Sequence, residues 1–399
     1  MSDACNAKEN IGYEIDRIRP ALCDLSHKIH ANPELGFAEH KAVQWQTELL
    51  QDHGFSIETP YSGLETSYKA TFIKGTGGPA IAFLAEYDAL KGLGHACGHN
   101  LIAAMAVGGA IGLAKCTAPV NGKVVVIGCP AEETGHGKVI LLNNGGFDGI
   151  DFAMMIHPGN RNLIGRGGLA STRLDIEFFG KAAHSKEPAE GINALTALLN
   201  TFTGIDTLRQ VWRDDARING IITAGGVASN VIPEYAAATF TVRSRTGQYL
   251  HKMIADIGRV ADAAALVTGA KSKVTTGLVS TERYPNRVMG ETFKANMALL
   301  NETMTYPPAG LQVGSSDFGN VSMVIPAIHE YLAIATTEVK NHTPEMAGAA
   351  CSPRSDAVLV KGAQGLAMTG HDILASAELR KRIVDEFQQT MAADRQEVS

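Results

Sequence analysis

Cysteine is scarce in this 399-residue chain. Cys5, Cys23, Cys97, Cys116, Cys129 and Cys351 are too few, in a chain this long, for a disulfide framework. Long apolar runs are missing too. The longest, Leu101 to Ala114, has 14 residues, rich in Gly and Ala, whereas a membrane span needs about 20. The N-terminal residues lack the apolar core of a signal peptide. Basic charge is not in excess: 35 Lys and Arg stand against 41 Asp and Glu, for a net charge of −6, and no basic stretch suits nucleic acid. These absences predict a soluble, cytoplasmic protein with neither a membrane nor a nucleic-acid partner. What is present is ordinary for a globular chain: 45% hydrophobic and 19% charged residues, enough for two or three domains.

Apolar residues at Ile11, Ile15, Ile18, Leu22, Leu25 and Ile29 mark one face of a helix, which Pro20 is expected to kink or delay. A second helix is expected over Ala38–His53. Lys69–Lys74 and Pro79–Ala85 read as strands joined by a hairpin turn at Gly75-Thr76-Gly77-Gly78. A phosphate loop is the lesser reading there, because no helix follows. A helix over His99–Lys115 and strands over Lys123–Cys129 and Phe152–His157 then predict an α/β layer with a mostly parallel sheet. The texture changes near Gly167. Strand, helix, strand, strand, helix, strand follow, at Arg173–Phe178, Ile192–Leu208, Gly220–Ala224, Ala236–Ser244, Gly247–Val267 and Ser272–Leu278. That order is ferredoxin-like. The expected organisation is an α/β domain over 1–167 and 280–399, interrupted by an α+β domain over 168–279.

Four short stretches carry chemistry. His95-Ala-Cys-Gly-His99 follows an acidic turn, Glu86-Tyr-Asp88, and opens a helix; thiolate and imidazole together suit a borderline-soft divalent ion. Pro130-Ala-Glu-Glu133 follows a buried strand, at the edge of the sheet where sites form. Its two adjacent carboxylates cannot point the same way, so one can bind a metal while the other acts as a base on water. His157 ends a strand, and Asn341-His342 lies far along the chain. Alone, each reads more readily as a buried small residue, a solvated acidic loop or a structural histidine.

Together, in the order Cys-x-His, Glu-Glu, His, His, they resemble the M20 metallopeptidases and aminoacylases, in particular their amidohydrolase branch. Leu84-Ala-Glu-Tyr-Asp-Ala-Leu90 and Gly94-His-Ala-Cys-Gly-His-Asn-Leu101 are most similar to the aminobenzoyl-glutamate hydrolase B-subunit type and to the aminoacylase-1-like-2 dipeptidases. The resemblance runs from about His27 to Leu374. It implies a zinc-peptidase-like catalytic domain with an inserted lid and dimerisation domain. It places metal ligands at Cys97, His99, Glu133, His157 and His342, the general base at Glu132, and Asp88 behind the ligands. His95 is in the motif, but the family does not use it as a ligand. Where many relatives carry Asp after the His99 position, this chain has Asn100, expected to tune the surroundings of the site.

The resemblance further implies that His184, in Gly180-Lys-Ala-Ala-His184, polarises the scissile carbonyl, in relatives often from the partner subunit. It also implies that Asn230 and Arg243 bind a substrate carboxylate, with Arg245 the alternative to Arg243. Asp317, in Gly314-Ser-Ser-Asp-Phe318, receives a supporting or structural role. The implied cofactors are two divalent ions, Mn, Zn or Co, with Cys97 the expected bridge, and the implied assembly is a homodimer or higher homo-oligomer. The expected reaction is hydrolysis of a small N-acyl amino acid, aminobenzoyl-glutamate-like compound or dipeptide with a free carboxylate. The alternatives are hydrolytic deamination of an aromatic amine at the same site, or a binding protein that has kept the fold. Trp212 offers either an aromatic wall for substrate or ordinary packing.

Overall fold

The computed structural model describes residues 3–396. Two compact units divide the chain: one runs up to Gly167 and resumes at Tyr284, and the other is Gly168–Arg283. In order, the first unit begins α1 (Asp3–Ala31), α2 (His40–Asp52), β1 (Ser56–Glu58), β2 (Lys69–Lys74), β3 (Ala80–Glu86), α3 (His99–Lys115), β4 (Gly122–Cys129), α4 (Glu132–Gly135), α5 (Gly137–Asn143) and β5 (Phe152–Gly159). The second unit is β6 (Ala170–Phe179), α6 (Ala194–Arg209), β7 (Arg217–Ala224), β8 (Tyr235–Ser244), α7 (Gly247–Thr268) and β9 (Lys271–Thr276). The first unit then closes with α8 (Arg287–Leu299), α9 (Phe318–Ser322), β10 (Ala327–Ala333), α10 (Pro344–Ala349), α11 (Pro353–Ala375) and α12 (Ala377–Gln396).

The sheet of the first unit has the order β1-β2-β4-β3-β5-β10. β1, β2 and β4 pair antiparallel; β4, β3, β5 and β10 pair parallel. The expected hairpin between β2 and β3 does not form. Both strands pair with β4, which lies between them. β4 is apolar on both faces, so the sheet interior is where it loses least. The glycines of the supposed turn serve close approach instead: a Cβ on Gly78 would sit 2.2 Å from the Asn121 carbonyl oxygen.

Side chains of β3 alternate between two cores. Ile81, Phe83 and Ala85 face a large cluster built with α1, α3 and α11, while Ala82 and Leu84 face a smaller one with Leu141 and Phe318. α3 is apolar all round and buried along nearly its whole length. Gly108 and Gly112 let its neighbours close in: a Cβ there would come 2.6 Å from Leu22 Cδ1 and 2.5 Å from Ile15 Cδ1. α1 runs from Asp3 through Pro20 to Ala31, so the expected late start does not occur. Pro20 is exposed, so water can satisfy the carbonyl its ring frees.

The second unit is an antiparallel sheet of order β7-β8-β6-β9 with α6 and α7 packed on it, around its own apolar core. No helix among the described residues is long and apolar enough to cross a membrane. Cys23, Cys97, Cys116, Cys129 and Cys351 are free thiols.

Candidate metal centre

The ligand-bearing loops gather at the carboxyl ends of the parallel strands, where α/β sheets form their sites. β3 ends at Glu86, and its loop returns as α3 at His99. Between Cys97 and His99, Gly98 holds φ +77°, and a Cβ there would lie 2.4 Å from Pro158 Cγ. The missing side chain lets this loop press against the end of β5, and Cys97 Sγ comes 3.4 Å from His157 Nε2.

Each imidazole is turned by its other nitrogen. His99 donates Nδ1–H to Asp88, 2.9 Å from Oδ1 and 3.0 Å from the carbonyl. The other Asp88 oxygen accepts the Glu133 backbone N–H at 3.0 Å, so one carboxylate fixes two of the expected ligands. His99 Nε2 is left buried without a hydrogen-bond partner. His157 donates Nδ1–H to the Pro158 carbonyl at 2.6 Å, and burial pushes its pKa down to about 4, which keeps Nε2 unprotonated and ready to ligate. Burial pushes the Cys97 thiol up, and Asp88 outweighs burial to hold His99 well above the usual histidine value. A metal arriving here must therefore displace protons.

The carboxylate turn is held in an uncommon backbone. Ala131 and His136, at φ +55° and +53°, bracket the four residues of α4, and His342 sits at φ +63°. Strain of this kind persists where surrounding contacts enforce it. Glu39, wholly buried, accepts the Ala131 N–H at 2.8 Å, and the His342 N–H donates to the Ala96 carbonyl at 3.0 Å. Glu133 Oε1 lies 3.2 Å from His342 Nε2. Glu132 lies between two groups: a carboxylate oxygen comes within 4.8 Å of donor atoms of His99 and Glu133, and likewise of Glu86 and Asp317. Burial and the carboxylates of Glu86, Asp317 and Glu133 raise its pKa well above the usual value, against the pull of Lys138. Cations at the neighbouring ligands would draw it back down.

Two donor triads result. The ligand atoms of Cys97, His99 and His157 lie within 4.8 Å of one another, as do those of Cys97, Glu133 and His342. Cys97 belongs to both. The donor chemistry, the shared Cys97 and the orphaned His99 Nε2 fit divalent ions, which the residues of the two triads would hold. The structure thus brings together all five expected ligands, Glu132 and Asp88. His95 is buried, belongs to neither triad and lies 6.1 Å from the His30 ring between centroids. Asn100 faces away from the triads: its amide donates to Ser26 Oγ and the Ala350 carbonyl, bonds an aspartate could not donate. Residues that local patterns did not mark are Glu39 and Lys138, since nothing in sequence distinguishes a buried charge from an exposed one.

His184, Asn230 and Arg243 lie in the second unit. His184 and Asn230 are close neighbours: Ser185 N–H donates to the Asn230 carbonyl, and His184 bridges Val231. Both are exposed. Arg243 stands at the opposite end of β8, opposite Arg217 on β7, and no carboxylate pairs with it among the described residues. From Tyr235 to Arg243 the strand spans roughly 26 Å. The arrangement does not bring Arg243 together with the other two. Arg245 lies beyond β8, its N–H donating to Asp215. Trp212 is 8% exposed and its indole N–H donates to Asp256 at 2.9 Å, so it packs in the core of the second unit.

Residues 164–268 match the peptidase dimerisation domain of the M20 family. Across 95% of its length the chain is 34% identical to the Xaa-Arg dipeptidase of Mus musculus, covering 92% of that protein. It is 29% identical to a p-aminobenzoyl-glutamate hydrolase chain of Escherichia coli, over 69% of this chain and 61% of the relative. Its fold matches that of a dinuclear metal-binding M20 peptidase from Bacillus subtilis, with a TM-score of 0.65 at 22% identity over 87% of this chain and 98% of the other. Deamination of an aromatic amine gains no support from these relatives. With a one-third identity that spans nearly the whole chain, and the dimerisation-domain match inside it, the chain belongs to the M20 family of metal-dependent peptidases and amidohydrolases.

Proposed function

We propose that the protein hydrolyses the amide bond of a dipeptide or small N-acyl amino acid with a free carboxylate. The observation that carries this is the pair of donor triads sharing Cys97, with a carboxylate beside them that neither triad uses. Two divalent ions held by Cys97, His99, Glu133, His157 and His342 would acidify a water and polarise the scissile carbonyl. Glu132 takes the proton from the attacking water and delivers it to the departing nitrogen, so its carboxyl must be ionised at the start and neutral in between. Asp88 holds His99 and the Glu133 backbone in place throughout.

The lid supplies recognition in this reading. His184 donates to the developing oxyanion, and Asn230 and Arg243 grip the substrate's polar ends. A guanidinium facing another arginine across the strands, unpaired, suits an incoming carboxylate. His184 and Arg243 are too far apart along one lid for a dipeptide, about 7 Å long, to touch both. That separation supports a homodimer in which each site draws on both lids. The likeness to Xaa-Arg dipeptidase makes dipeptides ending in a basic residue the first substrates to try. A cytoplasmic setting suits a centre that depends on a free thiol.

The test strips the enzyme with chelator and reloads it with Mn, Zn or Co. A panel of dipeptides, N-acyl amino acids and aminobenzoyl-glutamate is then assayed beside Glu132→Ala. Metal-dependent release of free amino acid, at least about 100-fold lower in the variant, is expected. Stoichiometric metal without turnover of any amide would overturn the reading.

A further inference from the structure

Lys138 follows the carboxylate turn and is wholly buried. Lysines are almost never buried unless paired. Its ammonium lies 2.6 Å from Glu86 Oε1 and 2.7 Å from Asp317 Oδ1. Its backbone N–H donates to the other Asp317 oxygen at 2.8 Å, so both ends of the residue are fixed. Asp317 and Glu86 outweigh the burial that would otherwise depress its pKa, and it stays charged.

The partners of this ammonium are themselves a donor set. One oxygen each from Glu86, Glu132 and Asp317 lies within 4.8 Å of the others. Three carboxylates at that spacing, two of them fully buried, suit a hard divalent ion. The space they enclose adjoins the triads, because Glu86 Oε2 lies 3.4 Å from His99 Nε2. An ion drawn into the centre therefore has the cage as a further place to go, beside the two triads and the His99–Glu132–Glu133 group, and an ion in the cage would consume Glu132 as a ligand. A carboxylate bound to an ion cannot also carry a proton between water and a leaving nitrogen.

We propose that Lys138 is a positioning residue that acts as a built-in cation: its ammonium ties up Glu86 and Asp317, keeps a third divalent ion out of the Glu86–Glu132–Asp317 cage, and leaves Glu132 free as the base. Monovalent and permanent, it neutralises part of the cage charge without bridging all three oxygens. The inference rests on the assignment of Glu132 as base, and extends it by explaining why the base is not captured by an ion on the Glu86–Asp317 side.

The test is Lys138→Met, which keeps an unbranched chain as far as Cε and removes the ammonium. Wild type and variant are loaded with excess Mn2+, desalted, and assayed for metal per chain by elemental analysis and for kcat and KM. Two ions per chain are expected in the wild type and three in Lys138→Met. kcat should fall by at least about 100-fold while KM stays within a few-fold, the pattern of a lost proton-transfer group. In Lys138→Met/Asp317→Asn the cage loses a donor along with the ammonium, and the count should return to two. If Lys138→Met does not fold alone, Mn2+ beyond two per chain should restore the fold, because an ion that binds only the native state stabilises it. Failure of Mn2+ to do so would overturn the proposal, as would two ions per chain with kcat unchanged. A wild type that binds two ions and hydrolyses amides while Lys138→Met behaves identically defeats this inference alone. A wild type that binds metal and hydrolyses no amide defeats the reading beneath it.

Discussion

Glu39 carries a testable pH signature. Its carboxyl is buried without a cation beside it, facing Thr66, Asp88 and the Ala131 N–H, and burial raises its pKa to about 7. Unfolded, it titrates near 4.5. Between those values the folded state holds more protons than the unfolded, so stability falls as pH rises from 4.5 to about 7 and levels above it. Linkage puts the total at about 3 kcal/mol. In Glu39→Gln the amide oxygen can still accept from Ala131, and the slope should flatten. Urea melts at pH 5 and pH 8 check this: the variant should gain on the wild type at the higher pH only. Asp88 predicts differently. Asp88→Ala frees both His99 and the Glu133 backbone, and metal affinity should drop about 10–100-fold, read by competition with a fluorescent chelator. At this scale the candidate ligands stood out in sequence because they sit in short, ordered motifs. Glu39 and Lys138 did not, because their roles come from burial, and burial comes from contacts with residues far along the chain.

The elements that shape the site do so through backbone that no side-chain pattern announces. Gly98 is the clearest case. Gly98→Ala places a methyl 2.4 Å from Pro158 at a φ of +77°. The backbone alone costs roughly 1–2 kcal/mol, and relief of the clash must separate Cys97 from His157. A lower Tm in the metal-free protein, and weaker metal binding than in a Gly92→Ala control at an open loop position, are the expected outcomes. Periodicity in the sequence located α3, β4, β5 and most lid elements closely, since each is long or strongly patterned. It located β2 and β3 as well, but not their pairing. Neighbouring strands with glycines between them read as a hairpin, and only the partner strand β4, nearly 40 residues on, decides otherwise. The short turn α4 was invisible because four residues carry no period.

The whole molecule is one chain folded as two units, each with its own core. The division was legible from the change of strand pattern near Gly167 and from the ferredoxin-like order that follows. Gly168–Arg283, expressed alone, should unfold cooperatively, as a unit with its own core does, which calorimetry would show. The edge strand β7 exposes Ile221 (66%) and Ile222 (45%), an arrangement that natural edges avoid unless they are paired. If the lid joins two copies through this edge, Ile221→Lys should convert a dimer to monomers in sedimentation velocity and lower turnover together with it. An unchanged sedimentation coefficient would place the contact elsewhere.

The insertion of the lid also sets an order of assembly on the ribosome. Residues 168–283 are complete while the last hundred residues remain unmade, and domains fold as units when they emerge. The catalytic unit cannot follow suit. Its central helix α3 packs against α11, and the candidate ligand His342 belongs to the same late stretch. The nascent chain must therefore carry an unburied apolar helix through the whole synthesis of the lid, a long window for chaperone capture. The candidate centre is thus complete only after the stretch that carries His342, made later than the lid, has folded.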